Sequence, residues 1–263
     1  MSDNWEYLEE YRDIEFNQVD RQRKKRKKKN YFLRLLIFIA IVAAVAVFLN
    51  SSLFDVKNIE VEGNRYYSDS QIINMSGAVP GCNLFWGVGS GQIKSRLKED
   101  PYFTDVKIKR KLPDTVIIQV DERAQIGAVT YGDRYIVVDS DGTILRKSKV
   151  DPKITIITGL TINKMDIGET IGVEEKNTLN ATLNMLSVMQ EGDMYFKKVD
   201  VSRVIVKAYI YDTLVVKGTT KQMIKNIQSG ELQKVVNSFI KNNMKRGTLN
   251  LGDNGYMSFS PTF

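Results

Sequence analysis

The residues best suited to chemistry are the single cysteine Cys82, a Ser-x-x-Lys pairing at Ser95 and Lys98, the run Asp139-Ser140-Asp141-Gly142, and the carboxylates Asp121, Glu122, Glu174 and Glu175. A cysteine nucleophile needs a base to hold it as thiolate, and the chain contains no histidine. A sortase-like role for Cys82 is therefore not supported, and His-based triads and His-rich zinc sites are excluded. Ser95 has no supporting lysine-base motif and reads as helix surface. Asp139 to Gly142 begins like a calcium loop, but Val150 stands where the closing glutamate belongs, so the run reads as a hairpin turn. Paired carboxylates could hydrolyse a glycosidic bond across a cleft, yet nothing in the sequence places two of these on facing strand ends. Gly87-Val88-Gly89-Ser90-Gly91 could cradle a phosphate, but it lacks the Lys-Ser/Thr of a P-loop and a leading strand. It reads as an inter-helix loop, with Phe85 and Trp86 beside it as core anchors. No cofactor, metal or small-molecule substrate is expected.

The elements that must carry these residues begin with a charge asymmetry. The 263-residue chain has a net charge of +7, but residues 1–20 hold seven acids and one base, and Arg21, Arg23, Lys24, Lys25, Arg26, Lys27, Lys28 and Lys29 put eight bases into nine positions. Directly after them runs YFLRLLIFIAIVAAVAVFL, Tyr31 to Leu49, with Arg34 near its start. A helix of this length reaches roughly 28 Å, against a hydrocarbon core of about 30 Å, so residues 31–50 form the expected transmembrane helix. The basic block and Arg34, whose stem can snorkel, orient it: residues 1–30 cytoplasmic, the remainder extracytoplasmic. A cleaved signal peptide would need a charged region some 30 residues long before its apolar core, which argues against that reading. A nucleic-acid role for the basic block is disfavoured by its place against the apolar run, where contact with anionic lipid is worth about 1 kcal/mol per base.

Outside the membrane, Phe54 to Val61 reads as a strand. Ser68-Asp69-Ser70-Gln71 has the form of a capping box opening a short helix, and Ile93 and Leu97 mark a second helix ending at Asp100-Pro101. The alternating runs TDVKIKRKL and TVIIQVDER follow as a hairpin across Leu112-Pro113-Asp114, giving β-α-α-β-β over residues 53–123. From residue 124 to 263 the pattern is β-rich, with one helix over Glu174 to Gln190 and a long helical stretch from Thr219 to about Lys245 that Gly230 could interrupt. A final strand, Tyr256, Met257, Ser258 and Phe259, precedes Pro261. The fold class is α+β: one membrane helix, a small β-α-α-β-β domain, and a second mixed β domain with two helices.

Asp100-Pro101, Val106, Lys109-Arg110, Leu112-Pro113, Val116, Ile118, Val120 and Glu122-Arg123 resemble, in order and spacing, the last helix and hairpin of a POTRA domain. With the basic tail, the membrane helix and the β-rich second domain containing VVDSDGTIL, the chain resembles the bacterial cell-division family FtsQ/DivIB. Members often carry a proline near the position of Gln125, which this chain lacks. The resemblance implies a non-enzymatic scaffold at the division septum, binding the division proteins DivIC/FtsB and FtsL and, through them, influencing septal peptidoglycan synthases. If Tyr256 to Phe259 ends a sheet, its free backbone groups could pair with a partner segment. Two other functions stay open at the level of sequence: a membrane-anchored envelope enzyme acting on peptidoglycan through carboxylates, and a POTRA chaperone of the secretion type.

Overall fold

The computed structural model describes residues 29–262. Helix α1, Lys29–Leu49, contains the apolar run, and every side chain from Tyr31 to Phe48 is exposed. It is long and apolar enough to cross a bilayer. Of the residues expected to orient it, Arg34 lies exposed on α1, Lys29 begins the helix, and Arg21, Arg23, Lys24, Lys25, Arg26, Lys27 and Lys28 lie outside the described residues.

A 3-10 turn, Ser52–Phe54, leads to β1 (Asn58–Glu62), α2 (Asp69–Ser76), α3 (Ser90–Lys98), β2 (Phe103–Lys111) and β3 (Thr115–Glu122). The β-α-α-β-β order is present, with the strands arranged β1-β3-β2. The first strand starts later than the sequence reading placed it. Phe54 instead sits in the 3-10 turn, buried, with its ring edge-on to Phe48 and Phe85 at 5.3 and 5.2 Å. The capping box forms as expected: Ser68 accepts from the Gln71 N–H, and Gln71 accepts from the Ser68 N–H. Gly63 follows β1 at φ 88°, where a Cβ would collide with the Val120 carbonyl, so the turn demands glycine. Trp86 departs from its expected place as a core anchor. It is 66% exposed, because Leu84, fully buried, and the half-buried Phe85 already fill the inward positions of that loop.

The remaining elements are β4 (Gly127–Tyr131), β5 (Arg134–Val138), β6 (Ile144–Ser148), β7 (Ile156–Thr158), β8 (Ile162–Lys164), β9 (Gly172–Val173), α4 (Lys176–Glu191), β10 (Lys198–Asp200), β11 (Val206–Tyr211), β12 (Leu214–Gly218), α5 (Thr220–Gln228), α6 (Glu231–Lys241), β13 (Gly247–Leu251) and β14 (Met257–Ser260). Nine of these strands form one sheet in the order β14-β13-β12-β11-β10-β7-β4-β5-β6. The short β7 joins its halves by pairing parallel to both β4 and β10. The stripe Leu179, Leu183, Leu186 and Met189 of α4 is buried in the core with Phe196, Val199, Ala208 and Val216. The long helical stretch is divided into α5 and α6 by Gly230 at φ 72°, giving this region three helices rather than two. The pair β8-β9 had no periodic signal in the sequence because it is only three and two residues long.

The chain divides into two compact units that interleave along the sequence. One contains the described residues through Ile59 with Val79–Gly89 and Arg110–Val116; the other contains Glu60–Ala78, Ser90–Lys109 and everything from Ile117 onward. In the larger unit, the end of β3 acts as a clamp. The Glu122 carboxylate accepts backbone N–H groups of Arg65 (2.7 Å), Tyr66 (2.5 Å) and Tyr67 (3.3 Å), and Arg123 binds Asp139 at 2.6 Å. The ordered tyrosines stack next to it: Tyr66 lies parallel to Tyr102 at 4.3 Å, and the Tyr67 hydroxyl donates to Asp100 at 2.8 Å. Burial first, and the Asp100 carboxylate second, raise the Tyr67 hydroxyl well above the ordinary tyrosine range, which keeps it a donor.

Candidate partner-binding edge

Of the expected strand residues, Met257, Ser258 and Phe259 lie in β14, while Tyr256 caps the 3-10 turn before it and Ser260 ends the strand; β14 is one of the two edges of the nine-stranded sheet. Its register against β13 is antiparallel: Leu251 opposite Met257, Asn250 opposite Ser258, Leu249 opposite Phe259, Thr248 opposite Ser260. The ladder opens where the Gly252 N–H donates to the Tyr256 carbonyl at 2.7 Å. Alternation from that pair puts Ser258 and Ser260 in hydrogen-bonding register with β13 and turns the N–H and C=O groups of Met257 and Phe259 to the open side. The other edge is partly occupied. The Ile144 N–H of β6 donates to Glu169 (2.9 Å), and the Ile144 carbonyl accepts from Gly168 (2.8 Å). Strand β6 also carries Arg146 and Lys147, charges of the kind that discourage strand addition.

The edge is held from behind by packing and by a braced turn. The Phe259 ring meets Phe239 of α6 at 4.7 Å, while Leu249 and Leu251 of β13 are buried. Between β13 and β14, Asp253 accepts from the Gln222 side chain at 3.0 Å, and Gln222 is itself fixed by the capping box with Thr219 at the start of α5. Gly247, at φ 138°, lies under the Phe259 ring: a Cβ there would stand 2.5 Å from that ring and 2.9 Å from the Ser260 carbonyl. Gly247→Ala is expected to lift β14 off β13 and to cost about 1–3 kcal/mol, the range for overpacking. Hydrogen exchange on the full chain checks this, with protection lost first at the Ser258 and Ser260 amides.

A family model described as "POTRA domain, FtsQ-type" matches residues 54–123. Over most of its length the chain is similar to cell division protein DivIB of Clostridium acetobutylicum, 28% identical over 222 residues that cover 82% of this chain and 86% of the relative. DivIB of Clostridium botulinum is 26% identical over 243 residues, 90% of each chain. The chain carries an FtsQ-type POTRA domain and is similar over most of its length to DivIB cell division proteins. A cell division protein FtsQ, that of Syntrophotalea carbinolica, is 29% identical over 117 residues, 43% of this chain and 41% of the relative.

Several of the residues singled out for chemistry are locally engaged. Glu122 closes the β1-α2 loop, and Glu175 accepts both the N–H and the hydroxyl of Thr161 at 2.9 Å. Those Thr161 hydrogen bonds, backbone first, hold the Glu175 carboxyl below its usual range. Asp139 accepts from the N–H groups of Asp141 (3.0 Å) and Thr143 (2.7 Å), which makes the turn that the sequence suggested. Cys82 donates weakly to the Val79 carbonyl at 3.6 Å. Among the described residues no group of three or more acidic or cysteine side chains is placed to hold a metal ion. A groove of about 360 Å³ beside α6 is lined by Asp193, Met194, Tyr195, Ile210, Tyr211, Gln233, Val236, Asn237 and Ile240, a mixed set with a single carboxylate. Sequence reasoning found β14 but not Gly247, the Phe239-Phe259 contact or the outward turn of Met257. None has a local signal, since each depends on the pairing with β13.

Proposed function

We propose that the protein is a non-enzymatic, single-pass scaffold of bacterial cell division that receives a strand from a partner on its β14 edge. The observation that carries this reading is the row of backbone donors and acceptors at Met257 and Phe259, braced from behind and left open by the sheet. Tyr256, 71% exposed just before the strand, adds an aromatic contact beside it. The relatives' names place the family in cell division, and the chemistry of an open edge suits a partner segment that is extended and unpaired when free. The partners are DivIC/FtsB and FtsL, and through them the septal peptidoglycan synthases. The POTRA domain, residues 53–123, serves recruitment, and residues 124–263 serve partner binding. Residues 1–30 are cytoplasmic, with the block from Arg21 to Lys29 on anionic lipid, α1 spans the membrane, and the rest works outside at the septum.

Depletion in growing cells tests this. Septation should fail and DivIC and FtsL should leave mid-cell; normal septa with both proteins in place would sink the reading. The purified full chain should release no fragments from peptidoglycan, and turnover abolished by a single Asp or Glu substitution would favour an enzyme instead.

A further inference from the structure

The smaller compact unit carries a second surface that the edge strand does not explain. It begins at the last turn of α1. The Asn83 side chain donates to the Leu49 carbonyl at 2.9 Å, and the Asn50 N–H closes the helix on Ala46 at 3.1 Å. The loop containing Asn83 is strapped to the segment that leaves the helix: the Leu84 N–H donates to Phe54, the Val56 N–H to Cys82 and the Gly81 N–H to Val56, each at 2.8 Å. Rings run along the same path, Phe48 to Phe54 to Phe85 and on to Trp86 at 6.2 Å. The β2-β3 turn is fastened there too. Asp114 accepts from the Lys57 N–H at 2.8 Å, and the Arg110 side chain donates to the Leu84 carbonyl at 2.7 Å.

These bonds fix three loops at the end of the apolar helix, and each turns a large apolar side chain to the outside. Leu53 is 49% exposed, Val79 65%, Trp86 66% and Leu112 63%. Single exposed apolar residues need no explanation, but four in one unit, at the end of a membrane-length helix, do. The interfacial layer of a bilayer is about 5–7 Å deep on each side of the hydrocarbon, and a helix starting at Tyr31 reaches its boundary near Leu49. A loop hydrogen-bonded to the Leu49 carbonyl therefore lies within that layer. Tryptophan is the side chain most at home there, with its ring among acyl chains and its N–H toward headgroups.

We propose that the Val79–Gly89 loop and the Leu112–Asp114 turn form a lipid-contacting collar, with Trp86 and Leu112 immersed in the interfacial layer at the C-terminal end of α1. The collar rests on the reading that α1 spans the bilayer. It sets the height and tilt of this unit on the membrane, which a helix followed by a free linker would leave undefined. The occupant is lipid rather than another protein because the surface continues the lipid-facing helix through direct bonds to its last turn.

The chain has two tryptophans, Trp5 and Trp86, so Trp5→Phe leaves Trp86 as the only one. The full-length variant is reconstituted alone into vesicles of phosphatidylcholine and phosphatidylglycerol, with and without a nitroxide lipid labelled near the headgroup. Trp86 emission should be blue-shifted from that of the urea-unfolded protein, quenched by the nitroxide lipid and shielded from aqueous acrylamide. A second variant, Leu112→Trp in a Trp5→Phe, Trp86→Phe background, should behave in the same way. Carbonate extraction of the same vesicles separates the two ideas. Protein that stays in the vesicles while Trp86 remains open to acrylamide overturns the collar alone, and protein washed out overturns the spanning helix and the collar with it. Shielding that arises only when division proteins are added would assign the surface to a protein and overturn the lipid assignment.

Discussion

Arg123→Ala is expected to destabilise the protein by about 2 kcal/mol, a drop in Tm of roughly 4–8 °C for a unit of this size. The Asp139 side chain is 4% exposed and bonds the Arg123 guanidinium at 2.6 Å. Removing one partner of a fully buried pair costs about 3–5 kcal/mol, because the other charge is left without water or counter-charge. Two features lower the figure here. The Arg123 side chain is 29% exposed, and Asp139 keeps the N–H groups of Asp141 and Thr143. Asp139→Asn retains an acceptor for both N–H groups and should cost less than Arg123→Ala. The double variant should then be more stable than the sum of the two losses predicts, since with the charge gone nothing is stranded. Thermal unfolding of the four full-length proteins in one detergent measures this coupling. Strict additivity would show that Asp139 is not held by Arg123.

Met257→Pro is expected to weaken partner binding by roughly 10- to 100-fold while leaving the protein folded, equivalent to about 1.4–2.7 kcal/mol. The substitution removes an N–H that faces away from β13, so the internal ladder loses nothing, and the ring obstructs an incoming strand. The residue before it suits a following proline. Tyr256 already sits at φ -65°, ψ 133°, the extended region that a residue before proline requires. Ser258→Pro is the opposite case: its N–H is in register with Asn250, so β14 itself should come away from β13. Met257→Ala keeps the donor and should bind nearly as the parent does. Titration of the reconstituted full chain with the extracytoplasmic part of DivIC gives the comparison. Equal affinity of the parent and Met257→Pro would exclude strand addition at this edge.

How legible each feature was depends on whether its cause is local. The capping box at Ser68 and Gln71 formed as written, because its donors and acceptors lie within one helical turn. The stripe from Leu179 to Met189 faced the core because helical period alone brings those side chains together. Gly230 was readable as an interruption, since only glycine takes positive φ without strain. Glu122-Arg123 could be recognised as part of a POTRA-like pattern without its reason. The reason is a pair of contacts to Tyr66 and Asp139, 56 residues back and 16 residues forward. Trp86 departs from the usual preference for burying aromatic rings because Leu84 and Phe85 already fill the inward positions of its loop.

By itself the sequence determined the apolar helix and its charged flank, the β-α-α-β-β order, the hairpin turns and the absence of histidine chemistry, because periodicity, turn residues and composition act over a few residues. Only the tertiary structure decided that β7 joins the two halves of the sheet, that β14 rather than β6 is the open edge, and that Met257 rather than Ser258 offers its backbone outward. A strand's neighbours come from distant parts of the chain, and a slip of one residue in register exchanges every inward group for an outward one. The identity of the edge is therefore a property of the assembled sheet.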